Sequence, residues 1–147
     1  MFPELCITGY TCQDLFFQNA LLDKAMEGVV KIAKTTADSD MLVAVGVPVR
    51  ANGKLYNCAA VIQDGEVRAF VPKTHLPNYN EFYEVRHFTK GMEEPVYVRL
   101  NQEITVPMGM NLLFCCEEVS EVKVAAEICE DLWTMQPPSI AHAQAGA

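Results

Sequence analysis

A thiol, an ammonium and a carboxylate each stand in this sequence at the end of an apolar run. Cys129 follows Val122 to Ile128, Lys73 follows Val67 to Val71 and then Pro72, and Glu4 closes the stub that begins at Met1. Strand ends of this kind are where open α/β sheets place their ligand sites. A cysteine attacks only as its thiolate, so Cys129 requires a base and a cation close by. Its neighbours Glu130 and Asp131 are anions, so the positive charge has to come from elsewhere in the chain. Singly, the three residues read more readily as a buried structural cysteine, a lysine bounding a sheet and a solvated acid. Together they suffice for acyl transfer from an amide.

The elements that must position them are legible in the apolar pattern. Leu22, Ala25, Met26, Val29, Ile32 and Ala33 recur at helical spacing, which predicts an amphipathic helix from about Asn19 to Ala37. Met41 to Val49 is almost continuously apolar and of strand length, the mark of a strand covered on both faces. Asn52-Gly53 makes a turn into a strand over Leu55–Ile62, and Asp64-Gly65 is a hairpin signal leading to Val67–Val71. A polar loop from Lys73 to about Gly91 follows. Short strands are predicted at Val96–Val98, Ile104–Val106, Leu112–Phe114 and Val122–Ile128, and Pro137-Pro138-Ser139 opens a last helix. Met1 to Leu5 reads as the tail of a strand, and the last helix as still running at Ala147. The chain is therefore expected to be an α/β (α+β) domain, residues 1–147, cut at both ends.

Composition narrows the function classes. The 147 residues are half apolar and carry a net charge of −8, with 19 acids against 11 bases and no basic cluster. Phosphate backbones require a positive footprint, so nucleic acid is not an expected partner. No apolar run approaches a membrane span, and Met1-Phe2-Pro3-Glu4 is not a secretion signal. Six cysteines without a C-x-x-C pair predict reduced thiols rather than zinc or disulfides, and a cytoplasmic location. His75 reads as loop packing, while His87 and His142 have no partner motif. A Cys-His pair built on Cys129 would leave Glu4 and Lys73 unexplained.

Three blocks carry a family resemblance. Phe2-Pro3-Glu4-Leu5 with Thr8-Gly9-Tyr10 resembles the first catalytic segment of the nitrilase, or carbon-nitrogen hydrolase, superfamily. Pro72-Lys73-Thr74-His75-Leu76-Pro77-Asn78-Tyr79, followed by Glu81 to Arg86 and Phe88, resembles its lysine segment. Glu127-Ile128-Cys129-Glu130-Asp131-Leu132-Trp133, then Pro137-Pro138-Ser139, is similar to its cysteine segment. The Leu-Pro-Asn-Tyr form resembles in particular the glutaminase domains of bacterial glutamine-dependent NAD synthetases. The blocks occur in the family's order and span essentially the whole chain.

That resemblance implies a four-layer α-β-β-α sandwich and a set of roles. Glu4 would be the general base, Cys129 the nucleophile, and Lys73 the stabiliser of the oxyanion. Glu84 would support the lysine, and Tyr79 with Glu130 would hold glutamine. The ammonia released would feed NAD synthesis in a synthetase domain that these residues do not contain. ATP and Mg would belong to that domain, since no Gly-rich nucleotide loop is present here. Homo-oligomerisation is also implied. Two competing readings remain: a stand-alone amidase or carbamoylase of the same superfamily, and an inactive oligomerising scaffold.

Overall fold

The computed structural model describes residues 1–147. Its centre is a five-stranded sheet in the order β1-β2-β3-β5-β4, formed by β1 (Val43–Ala51), β2 (Lys54–Gln63), β3 (Glu66–Pro72), β4 (Val96–Arg99) and β5 (Thr105–Met108). Strands β1, β2 and β3 form an antiparallel meander, β5 joins β3 in parallel, and β4 pairs antiparallel with β5. The meander's two turns are Asn52-Gly53 and Asp64-Gly65, with φ of 49° and 73°, and 52° and 74°. Positive φ at both central residues is the turn whose twist matches the flanking strands, and Asn-Gly and Asp-Gly tolerate it. Both hairpins thus form where the dipeptides predict them.

The helix α1 (Asn19–Thr35) buries Leu22, Ala25, Val29 and Ala33, which lie on one stripe. The last three pack with Val43, Val45, Val47 and Val49 of β1 and with Tyr56, Cys58, Ala60 and Ile62 of β2. Alternation along β2 then turns Asn57 to the sheet face away from α1. That opposite face carries the site.

The N-terminal segment departs from the strand expected there. Residues 4–8 form turns, Leu5 has φ of 49°, and Pro3 has no N–H to give a ladder. The segment instead runs along the free edge of β1, where Phe2 N–H bonds Ala44 O at 2.9 Å and Ile7 N–H bonds Gly46 O at 3.1 Å. It covers an otherwise open sheet edge. Gly46 makes the close approach possible, since a Cβ there would overlap the Leu5 amide nitrogen and lie 2.6 Å from Pro3 O. Replacing Gly46 with valine is expected to push the segment off β1 and carry Glu4 with it. Circular dichroism should retain the sheet signal while any Glu4-dependent activity falls by roughly 10²-fold, the usual cost of a misplacement of about 1 Å. A fully active Gly46→Val variant would show that the edge contact does not position Glu4.

Three further corrections concern the second half. The loop after Lys73 contains a short helix, α2 (Glu84–His87). Only Phe114–Cys115 (β6) and Lys123–Val124 (β7) of the predicted strands around them pair, as a two-stranded ribbon, so Ala125 to Ile128 reaches Cys129 without a ladder. The final helix, α3 (Pro138–Gln144), ends before Ala147, closed by Ala145 N–H to Ala141 O and Gly146 N–H to Ala143 O. The α/β class stands as expected. Of the four layers, the chain lays out one helix layer and one full sheet, and β6 with β7 forms a separate two-stranded ribbon.

Candidate active site

Lys73 is the centre of the site. Its backbone is fixed on both sides: its N–H donates to Asn57 O at 2.8 Å, and its carbonyl accepts from Gly91 N–H at 2.7 Å. Its side chain is fully buried, at 0% exposure. The ammonium donates to Glu4 Oε1 at 2.6 Å and to Glu84 Oε1 at 2.7 Å. Burial pulls the lysine's pKa down, but the bonds to the two carboxylates outweigh it and leave the group above its ordinary value. Lys73 is therefore a permanent cation, not a base, at neutral pH.

Glu84 enters from the first residue of α2 and is itself buried, at 3% exposure. Burial raises its pKa, and its bonds to Lys73 and Tyr10 only partly offset the rise. The Tyr10 hydroxyl donates to Glu84 Oε1 at 2.7 Å, and burial followed by that anion pushes the phenol far above its usual range. Tyr10 begins a 3₁₀ segment, Tyr10–Phe17, that is stitched to α2 a second time. There Asp14 accepts two bonds from Arg86 at 2.8 Å and one from the His87 ring at 3.2 Å. The Arg86 bonds, then the His87 bond, hold the Asp14 carboxyl down at about 2.

Cys129 opens a 3₁₀ turn, Cys129–Trp133, with φ of 48°. Its left-handed conformation is uncommon for a residue with a side chain and marks a sharp turn at this point. The thiol's pKa is raised, first by burial and next by the charge of Glu4, while Lys73 pulls it down. The Glu4 carboxylate and the Lys73 ammonium thus act on the thiol in opposite directions.

Asp131 ties the cysteine turn to the lysine strand. It is buried, and its Oδ1 accepts from Thr74 N–H at 3.0 Å and His75 N–H at 2.7 Å, while Oδ2 accepts from Ile128 N–H at 3.0 Å. Burial raises its pKa, and those three backbone bonds oppose the rise. Tyr79 and Glu130 form a separate pair, with the Tyr79 hydroxyl donating to Glu130 Oε2 at 2.8 Å. Both line an open cleft of about 560 Å³ that also takes in His75, Lys90 and Thr134.

Glu4, Lys73 and Glu84 thus form one hydrogen-bonded unit with the Cys129 thiol coupled to it, and Tyr79 and Glu130 meet beside it. Besides bonding Asp14, His87 lies against Phe16, Phe17 and Phe88, and buried His142 donates to Met110 O at 2.9 Å. All six cysteines are free. Three members of the site escaped the sequence reading. Asn57 is a polar residue inside the apolar strand β2, and that interruption was a usable signal. Asp131 was visible only as an anion beside the cysteine, and Tyr10 only as part of a motif.

Comparison with known proteins places the chain in a family. The family model described as carbon-nitrogen hydrolase matches residues 1–147. The glutamine-dependent NAD(+) synthetase of Mycobacterium tuberculosis is 37% identical over 147 residues, all of this chain and 22% of that protein. That of Aquifex aeolicus is 37% identical over 132 residues, 90% of this chain and 20% of its own length. The crystal structure of a glutamine-dependent NAD(+) synthetase from Cytophaga hutchinsonii superposes with a TM-score of 0.77 at 34% identity, covering 87% of this chain and 21% of that one. The chain spans about a fifth of the length of these relatives. With the family model matched from end to end, the chain belongs to the carbon-nitrogen hydrolase family.

Proposed function

We propose that this chain carries the glutamine-hydrolysing chemistry of a glutamine-dependent NAD synthetase, working through a thioester on Cys129. The observation that carries the reading is the buried Lys73 ammonium gripped by Glu4 and Glu84, with the thiol beside Glu4. Glu4 takes the thiol proton as the sulfur attacks the side-chain carbonyl carbon of glutamine. Lys73, with the backbone N–H after Cys129, stabilises the oxyanion. Glu4 returns the proton to the departing nitrogen, and ammonia leaves. Water then attacks the thioester with Glu4 as base, releasing glutamate and restoring the thiol. Glu84 holds the ammonium in place throughout, and Tyr79 with Glu130 receives the substrate's α-ammonium group.

In this reading the ammonia passes to a synthetase partner that joins it to the deamido form of NAD. The proposal assigns ATP and Mg to that partner. No helix is long and apolar enough to cross a membrane, and a cytoplasmic homo-oligomer is part of the proposal.

Two reagents test it in the full-length protein. A raised thiol pKa means little thiolate at pH 7, so a neutral alkylating agent should modify Cys129 slowly, with a rate still climbing above pH 9. An electrophilic glutamine analogue should instead label Cys129 rapidly at pH 7, because binding brings its carbon to the thiol while Glu4 removes the proton. Equal rates with both reagents, read by mass spectrometry, would mean that the site does not recognise glutamine.

A further inference from the structure

Asn57 is the one buried residue of the site with a polar atom left over. It lies in β2 at 1% exposure, and its Oδ1 has no hydrogen-bond partner. A buried acceptor without a partner loses its hydration and regains nothing. A leucine of similar size would avoid that cost, so stability does not account for the amide. Its other contacts do. Nδ2 donates to Glu4 Oε1 at 2.5 Å and to Glu84 Oε2 at 3.3 Å, and the backbone carbonyl accepts the Lys73 N–H at 2.8 Å.

Charge explains why a neutral donor stands there. Glu4 and Glu84 share the single ammonium of Lys73, so the unit carries two negative charges against one positive. A second cation would hold Glu4 too firmly for it to accept a proton from a thiol. No donor at all would leave Glu4 fixed by the ammonium alone. The amide N–H directs the carboxylate and adds no charge.

We infer that Asn57 is a positioning residue for amide cleavage: its Nδ2 aims the Glu4 carboxylate at the Cys129 thiol while its carbonyl sets the height of Lys73. This inference rests on the thioester reading above. Glu4 is faced by Lys73 from the end of β3, by Glu84 from α2, by Tyr10 from the 3₁₀ segment and by Cys129 from its turn. None of these replaces the Asn57 donor. Without it the Glu4 carboxylate is held by the Lys73 ammonium alone and is free to turn away from the thiol.

The test uses Asn57→Leu and Asn57→Ser in the full-length protein. In Asn57→Leu, glutamine-dependent kcat should fall by about 10- to 100-fold, the scale of one hydrogen bond to a charged group, with KM nearly unchanged. The loss should fall on kcat and not on KM, and the Tm should stay close to that of the wild type. Asn57→Ser keeps a shorter donor and should fall between the two; it decides the matter if the leucine variant does not fold. Wild-type turnover in Asn57→Leu would sink the role. So would a loss carried by KM, or one that only follows a falling Tm. If the glutamine analogue fails to label Cys129 in the wild type, the thioester reading falls and takes this inference with it. A labelled wild type with unchanged kcat in the variants removes the Asn57 role alone.

Discussion

Cys129→Ala is expected to abolish glutamine-dependent NAD formation in the full-length protein and to leave the ammonia-dependent reaction at its normal rate. Free ammonia enters after the thioester step, so only the glutamine route needs the sulfur. Removing the atom that forms the bond should cost at least about 10³-fold, since no neighbouring group can take its place. The substitution should not disturb the fold. Cys129 is exposed and sits at the start of a turn, and alanine leaves no buried cavity there. Asp131 still ties that turn to Thr74 and His75. A variant that used glutamine at the normal rate would eliminate Cys129 as the nucleophile. Loss of both activities in a folded protein would instead count against separate ammonia-donating and synthetase parts.

Local signals proved most readable where one residue type answers one backbone demand. Asn52-Gly53 and Asp64-Gly65 mark their hairpins because both central positions need positive φ. The stripe Leu22, Ala25, Val29 and Ala33 marks α1 because only one face of that helix meets the sheet. Prediction failed where pairing depends on a distant partner. Val122 to Ile128 has strand composition, but only Lys123 and Val124 find a ladder, and nothing in the local pattern says so. Met1 to Leu5 forms no strand and turns from Glu4 onward, and Gly46, more than 40 residues away, lets that backbone lie against β1. In the site, Glu4, Lys73, Glu84 and Cys129 were legible as motif residues. Their mutual support was not, because Asn57 and Asp131 act through contacts 53 and 57 residues away in sequence.

The buried charge unit gives the second large effect. Lys73→Met is expected to lose glutamine-dependent activity and about 3–5 kcal/mol of stability, the usual cost of removing one partner from a buried pair. Methionine keeps an unbranched chain one heavy atom shorter than lysine, so most of the loss reports charge and not a cavity. Without the ammonium, Glu4 and Glu84 face each other with only Asn57 and Tyr10 as donors. Glu84 is already raised by burial, and Lys73 supplies the largest opposing pull, so its folded pKa climbs further in the variant. A carboxyl whose folded pKa exceeds its unfolded value, about 4.3 for Glu, adds stability below that value and loses it as pH rises through the folded one. The Lys73→Met deficit should therefore be smaller at pH 5 than at pH 8, as measured by denaturant unfolding. Adding Glu84→Gln removes one of the two unpaired anions and should recover much of the stability without restoring turnover. If Lys73→Met were as stable as the wild type at both pH values, the two carboxylates would not depend on Lys73. A double variant that regained activity would mean that the oxyanion is stabilised by some other group.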